Sequence, residues 1–472
     1  MEKIKVKDIL KIMDGELIFG NKDIICENFK FDTRDIEVGD IFIRVGDEKK
    51  EGKKYWEMAF EAGAIVCIVN NIENNLENFK KWDGKCLIKV QDTLKGLQEL
   101  AKYRRNLYGK DFSTVAITGS VGKTSTKDML ANVLSQKYKT LKTKANYNNH
   151  IGVPFTVLGL KDHEAAVIEM GMNHFGEIRE LTKIAKPKIS VITNIGTSHI
   201  GNLGSRENIL KAKLEILEGM DEKVIVINND NDLLHKWKEE NQEKDIKIYT
   251  FGIENKSDVW AEKIKLFENE SEFRCHIFEE NYDIKVPVGG IHFVYNALCA
   301  GLVGYLLGLK KEEIKKGIEG FKLTKNRMEI SKLKNGALVI NDSYNASLES
   351  IKASIKTLEE YKERRKIAVI GDVFELGKYS EELHRKIGRF IKNSKIDILL
   401  CTGENSKYIV EEAKKEKSFL RVIKYFNTKE EILNYLKKET LSKDVILFKA
   451  SHGMKFYELC PKENECFEDI KL

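Results

Sequence analysis

The chain has 472 residues, of which 42% are apolar and 33% charged, and its formal net charge is +6 at pH 7. That length suffices for about three domains, each able to bury a core without disulfide or metal staples, and the composition excludes a disordered or collagen-like chain. So small a positive excess gives no support to a nucleic-acid or membrane-surface partner. The eight cysteines are scattered, with no CxxC and no zinc spacing, and four prolines leave no Pro-rich linker. Reduced, buried thiols in a cytoplasmic protein are the expectation. The opening MEKIKVKDIL has no apolar stretch of signal-peptide length.

Residues 1–109 read as a small mixed α/β domain. Residues 40–45 alternate like a half-buried strand, 53–62 look helical, 64–69 form an apolar run suited to a buried strand, and 93–108 read as a helix that stops at Gly109. Residues 110–327 open with the β-branched run 114–117. Further apolar runs at 165–168, 189–192 and 224–227 alternate with helical stretches at 123–136, 176–185 and 206–218. Such alternation predicts a doubly wound parallel sheet covered on both faces. Residues 256–288 alternate over short runs and predict an antiparallel insert.

Residues 286–309 carry no charge and are long enough to span a bilayer. Pro287, Gly289 and Gly290 interrupt the segment, His292 and Asn296 are polar, and no second such segment exists. The expectation is a buried helix and no membrane insertion. Residues 328–472 predict a second, Rossmann-like α/β unit. Its strands fall at 337–341, 367–370, 396–401 and 445–448, between helices at 347–360, 380–392, 405–415 and 428–438. There is no internal repeat.

The sharpest local signal is Thr118-Gly119-Ser120-Val121-Gly122-Lys123-Thr124, after a strand and before a helix. Backbone N–H groups in that context cradle phosphate. Lys123 would neutralise its charge, and the Thr124 hydroxyl would reach Mg²⁺. The first glycine of the full GxxxxGK[ST] pattern is replaced by Ile117. The next apolar run ends in Glu169 and the following one leads to His199, so three strand ends point chemistry to one sheet edge. Lys213 by itself reads as a helix-face lysine.

In chain order the motifs GSVGKTS, NYNNHIGVP, EMGMNHFGEI, TNIGTSHIGNLGS, KAKLEI, HFVYNALCA, NRMEI, NDSYNAS, GDVFELG and KAS resemble the Mur ligases over about 110–455, and Asp32-Thr33-Arg34 with Gly39-Asp40-Ile41-Phe42 extends the likeness to the N-terminal region. The resemblance implies an ATP- and Mg²⁺-dependent amide ligase of cytoplasmic peptidoglycan-precursor synthesis, which serves cell-wall biogenesis, cell shape and division. It implies small-molecule substrates, a UDP-linked muramoyl tripeptide and D-alanyl-D-alanine, and a monomer. ATP would phosphorylate the terminal carboxylate, and the dipeptide amine would attack the acyl phosphate.

By position, the resemblance assigns the ATP phosphates to Gly119, Ser120, Val121, Gly122, Lys123 and Thr124, adenine to Asn296, and the phosphate and ribose to Arg327 and Asp342. Thr124, Glu169, His199 and Lys213 would organise Mg²⁺, Lys213 as a carbamate, with Lys123, His199 and Lys213 serving catalysis. Asp32, Thr33 and Arg34 would bind the nucleotide sugar, Asn146, Asn148 and Asn149 the muramoyl peptide, and Tyr344 and Asn345 the incoming amine. The chain departs from the family pattern at several points. DSYNANP reads Asp342-Ser343-Tyr344-Asn345-Ala346-Ser347-Leu348, Phe175 replaces a proline, His452 an arginine, and 44–54 place Lys53 at a usual histidine. Two rival readings are a related ligase adding another amino acid or dipeptide to a different carboxylate and an inactive nucleotide-binding homologue. The arginine-bearing loop of the diaminopimelate- or lysine-adding enzymes is not evident, which favours the dipeptide.

Overall fold

The computed structural model describes residues 3–46, 55–72, 79–415 and 419–470. Three α/β layers follow one another along the chain. The N-terminal layer is a five-stranded sheet whose strands Phe29–Lys30, Ile41–Ile43, Val66–Val69 and Cys86–Lys89 run parallel, with Glu16–Phe19 antiparallel at one edge. A small two-stranded ribbon, Ile4–Lys5 with Ile25–Cys26, accompanies it. The helix expected over 53–62 is observed over Tyr55–Ala62, and positions 47–54, which hold the departure at Lys53, lie outside the described residues.

The central sheet has nine strands. Ser113–Thr118 lies between Ala165–Glu169 and Ile189–Ile192, and all three are parallel. Thr140–Lys142 flanks Ala165–Glu169, while Val224–Asn228 and Lys247–Gly252 continue beyond Ile189–Ile192. From Ser113–Thr118 the chain goes to the edge strand Thr140–Lys142, returns to Ala165–Glu169 and then crosses to the other side, which makes the carboxyl end of Ser113–Thr118 a topological switch point where ligands collect. The antiparallel insert expected over 256–288 is observed as the strands Ser271–Ile277 and Glu280–Val286. They join the sheet through Val259–Leu266, which pairs parallel with Lys247–Gly252.

The uncharged segment forms the helix Ile291–Leu306, buried along most of its length and packed on the helix Lys123–Leu134 and on the sheet. Its apolar surface is therefore spent inside the protein, and no helix among the described residues is long and apolar enough to cross a membrane.

The C-terminal sheet has six strands, with Leu338–Asn341, Asp444–Lys449, Arg365–Ile370, Ile398–Thr402 and Val422–Phe426 parallel and Glu329–Lys332 antiparallel at the edge. Thr140–Lys142, Lys247–Gly252 and Val422–Phe426 escaped the sequence reading. They are short or carry polar residues, so no continuous apolar run marks them. The six cysteines at 26, 67, 86, 275, 299 and 401 are buried and free, and Cys460 and Cys466 are half-buried and free.

Candidate active site

A cavity of about 490 Å³ opens where the central and C-terminal layers face each other. Its floor is the phosphate loop. Gly119 has φ +153°, and a Cβ there would lie 1.9 Å from Thr193 Oγ1, so only glycine lets the loop pass this close to the neighbouring strand end. Gly122 precedes the helix Lys123–Leu134 in the left-handed region at φ +83°. The first N–H groups of that helix have no intrahelical acceptor, and the helix dipole is positive at this end.

The segment after Ile189–Ile192 braces the loop. Asn194 Oδ1 accepts from the Val121 amide at 2.9 Å, Thr193 Oγ1 donates to the Val121 carbonyl at 2.6 Å, and Ser120 Oγ accepts from the Gly196 amide at 2.8 Å. Residue-by-residue reading missed Thr193 and Asn194, although the TNIGTSH motif contained them. Lys123 Nζ donates to the Gly119 carbonyl at 2.8 Å. Burial holds this ammonium below the usual lysine value; nearby Glu169 opposes the shift and Arg327 adds to it.

Strand register brings Glu169 beside Ile117 and Ile192 beside Thr118, so three loops leave the sheet at one height. Glu169 is 2% exposed. Its Oε1 accepts from Asn148 Nδ2 at 2.8 Å, whereas Oε2 is buried without a hydrogen-bond partner, with Lys127 Nζ at 4.0 Å. An unpaired carboxylate oxygen and the Thr124 hydroxyl on one cavity wall suit a divalent cation. The described residues include no cluster of three or more His, Cys, Asp or Glu able to hold a metal alone. A single carboxylate and a hydroxyl completed by substrate phosphates is how Mg²⁺ is ordinarily held, so the residues present fit it. His199 lines the same cavity in the left-handed conformation at φ +62°, with Nδ1 2.5 Å from Glu375 Oε2 of the C-terminal layer. That pairing holds the Glu375 carboxyl below its usual range.

Asn296 accepts from Thr126 Oγ1 at 3.0 Å and borders Gly122, so the polar residue of the uncharged helix faces the phosphate-loop helix. Arg327 Nη2 donates to Thr124 Oγ1 at 2.9 Å, and its guanidinium stacks 4.1 Å over the Tyr344 ring. Asp342 Oδ2 accepts from Ser354 Oγ at 2.6 Å and from Lys449 Nζ at 2.5 Å. Lys449 was visible only as part of the KAS motif; it is 2% exposed and also donates to the Asn345 carbonyl at 3.2 Å. Glu349 was missed entirely. Its carboxylate accepts from the Thr197 amide at 2.9 Å and from Thr197 Oγ1 at 3.1 Å, tying the C-terminal helix Leu348–Glu359 to the loop that carries His199.

The departure at Ser347-Leu348 has a local explanation. Ser347 is the N-cap of that helix, its Oγ accepting from the Ser350 amide at 3.2 Å, and Leu348 is the first helical residue. Asn-Pro and Ser-Leu both satisfy those positions, so the exchange keeps the turn. The other two departures lie on the surface: Phe175 is half exposed, and His452 Nδ1 contacts the Tyr344 carbonyl at 3.2 Å.

Lys213 lies on the helix Arg206–Leu214 and is 1% exposed, the opposite of a solvated helix-face lysine. Burial, with Lys123 adding repulsion, drives its amine well below the lysine range and towards the neutral form. It does not line the cavity. Two residues on, buried Glu215 accepts from the Gly176 amide at 2.8 and 2.9 Å and so anchors the helix Glu177–Ala185.

Asn146, Asn148 and Asn149 line the cavity, and Asn149 Oδ1 caps the helix Gly152–Leu158 through the Ile151 and Gly152 amides at 3.1 and 2.9 Å. Asp32, Thr33 and Arg34 do not line it. Asp32 and Arg34 pair with each other at 2.5 Å, and the arginine side chain is 86% exposed. Their neighbour Phe31 nevertheless packs on Tyr147 and Phe155, with ring centroids 5.7 and 4.7 Å apart, so this turn abuts the asparagine loop.

A phosphate loop at a sheet switch point, facing charged residues of a second α/β unit across one cavity, is the layout of a nucleotide-using enzyme. Comparison with known proteins agrees. Residues 117–304 match the Mur ligase middle domain, and residues 326–452 match the Mur ligase glutamate ligase domain. The UDP-N-acetylmuramoyl-tripeptide–D-alanyl-D-alanine ligase of Bacillus subtilis (strain 168) is 37% identical over 468 residues, covering 97% of this chain and 98% of the relative. The ligase of the same name from Haemophilus influenzae is 31% identical over 471 residues, covering 97% and 98%. Among solved structures, MurF from Acinetobacter baumannii superimposes with a TM-score of 0.85 at 29% identity, covering 97% of this chain and 98% of that one. MurF ligase from Thermotoga maritima in complex with ADP gives 0.78 at 26% identity, covering 91% and 95%. The chain belongs to the Mur ligase family and is an ATP-dependent ligase.

Proposed function

We propose that this ligase joins D-alanyl-D-alanine to a UDP-N-acetylmuramoyl tripeptide, as the names of its relatives describe for those proteins, in the cytoplasm and as a monomer. The observation that carries the reading is the one cavity shared by the phosphate loop, Glu169, Arg327 and the C-terminal residues Asp342 and Tyr344. In the proposed division of labour, residues 1–109 bind the nucleotide sugar through the turn Asp32-Thr33-Arg34, 110–327 bind ATP, and 328–472 close over both and seat the dipeptide near Tyr344 and Asn345.

A carboxylate is a poor acyl donor, and its approach to a triphosphate brings two anions together. Lys123, Arg327 and the helix N-terminus offset that repulsion. The terminal carboxylate oxygen takes the γ-phosphoryl group and ADP leaves. The dipeptide amine then attacks the acyl carbon, phosphate departs with the C–O electron pair, and the amine loses a proton. Thr124 and Glu169, with His199 beside them, would hold Mg²⁺, whose chemistry is to neutralise phosphate charge. A neutral, buried Lys213 is the form whose nitrogen adds to CO₂; with release of one proton the resulting carbamate would place an anion near Lys123.

The test is phosphate release from ATP in the presence of the UDP-muramoyl tripeptide, with and without D-alanyl-D-alanine. Release that requires both, with a product heavier by the dipeptide, is the expected result. ATP binding without turnover on these substrates would shift the reading to a ligase acting on another carboxylate.

A further inference from the structure

His292, on the cavity wall, keeps its Nδ1 enclosed without a hydrogen-bond partner. His384 is the opposite case. It lies on the helix Ser380–Lys392, is fully buried, and has both ring nitrogens engaged by backbone. Its Nε2 accepts from the Val373 amide at 3.1 Å, and its Nδ1 meets the Ser380 carbonyl at 2.7 Å. A carbonyl only accepts and an amide N–H only donates, so these partners fix one neutral tautomer with the proton on Nδ1.

The two residues that the ring joins bound the turn 374–379. More bonds hold the base of that turn in the C-terminal layer. The Phe374 amide donates to Ser451 Oγ at 2.8 Å, and buried Asp372 accepts from the Asn405 and Ser406 amides at 3.1 and 2.7 Å.

The tip of the turn leaves its own layer and lies on the central one. The Glu375 carbonyl accepts from the Gly201 amide at 3.0 Å, Tyr379 Oη donates to the Gly204 carbonyl at 2.5 Å, and the Glu375 carboxylate meets His199 Nδ1 at 2.5 Å. The backbones touch: a Cβ on Gly201 would lie 2.6 Å from the Glu375 carbonyl oxygen and 2.7 Å from the Gly377 nitrogen. Glu375 sits at φ +63°, a left-handed conformation that a non-glycine residue keeps only where its surroundings over-determine it. No residue of 373–380 lines the cavity, yet the turn grips the residue that brings an imidazole into it.

We propose that His384 is a positioning residue of the ligase reaction: by clipping Val373 to Ser380 it aims the turn 374–379, and through Glu375 it sets His199 in the cavity. The inference rests on the ligase reading of that cavity. It is tested on the full chain with His384→Leu, His384→Gln, Glu375→Gln and the double variant His384→Leu with Glu375→Gln. Phosphate release with both co-substrates, ATP binding, melting temperature and hydrogen exchange at the Gly201 amide are measured for each. His384→Leu should lower kcat per folded molecule about tenfold with ATP binding within about twofold, the scale of one lost positioning hydrogen bond. Glutamine offers both a donor and an acceptor, so His384→Gln should recover most of kcat. Glu375→Gln should reproduce the fall in kcat at an unchanged melting temperature. The double variant should lose no more than the larger single effect, because both act along one route.

A lowered melting temperature with kcat per folded molecule unchanged makes His384 a residue of the fold alone and overturns the inference. So does a double variant that loses the product of the two single effects. If His384→Leu does not fold, parent-like kcat in Glu375→Gln overturns it. Exchange at Gly201 reads the turn without turnover and should be about tenfold faster in His384→Leu than in the parent. A parent that joins the two substrates, with variants that match it, removes His384 and leaves the reaction standing. A parent that never joins them, with faster Gly201 exchange in His384→Leu, removes the reaction and sustains the hold of His384 on the His199 loop.

Discussion

The turn at Asp32-Thr33-Arg34 and the cavity between the central and C-terminal layers hold their charges in opposite ways. In the turn, Asp32 and Arg34 are two residues apart and satisfy each other at the surface; the pairing holds the Asp32 carboxyl down at about 2. In the cavity, Lys123, Glu169, Asp342 and Lys449 come from four separate strand ends or loops and are wholly or largely enclosed. A surface pair is screened by water and contributes little to folding. Enclosed charges depend on partners, so each one removed leaves another uncompensated. The comparison teaches that the cavity is where a single substitution is felt by the chemistry, while the surface turn tolerates change without cost to the fold.

The largest expected effect is at the loop. Lys123→Ala should lower ATP turnover about a thousandfold, the scale of removing a preorganised cation from a phosphoryl-transfer site; normal phosphate release by this variant would break the phosphate-loop assignment. Next comes Lys213→Ala, with a fall of about a hundredfold. Short carboxylic acids should restore part of it by supplying the missing anion, and full activity without them would remove Lys213 from the mechanism.

Glu349→Ala should cost about tenfold in kcat/KM, since it removes the carboxylate that accepts two hydrogen bonds from Thr197 and so tethers the C-terminal helix to the His199 loop. If only the melting temperature moves, Glu349 is a fold residue and not a tether between layers. Arg34→Ala should leave the melting temperature where it is and raise KM for the nucleotide sugar alone. A change in KM for ATP would mean that the two regions are coupled in a way the comparison does not allow.

The smallest effect is on stability in acid. His292 and His384 are both held below the ordinary histidine value by burial, His292 to about 4. Between about pH 6.5 and about 4 the unfolded chain takes up a proton at His292 that the folded chain refuses, so stability falls as pH falls through that window. The slope of melting temperature against pH should be shallower in His292→Phe than in the parent.

Much of this is legible in the amino-acid sequence. The phosphate loop announces itself because strand, glycine turn and helix are contiguous, and the run-and-helix alternation marks two parallel sheets for the same reason of locality. The uncharged segment 286–309 could be read as a buried helix because its interruptions and polar residues are local too. What contiguity cannot show is pairing across the chain. Glu349 is 152 residues from Thr197, Arg327 is 203 from Thr124, and Lys449 is 107 from Asp342.

The amino-acid order by itself determined the fold class, the phosphate loop and, through ten ordered motifs, the family. Tertiary structure alone decided which lysine is solvated and which is buried and neutral, that the antiparallel strands extend the central sheet, and which histidine the fold leaves unsatisfied. The physical reason is that propensity and periodicity act over a few residues, whereas desolvation and charge pairing depend on whatever distant segments the packing brings alongside.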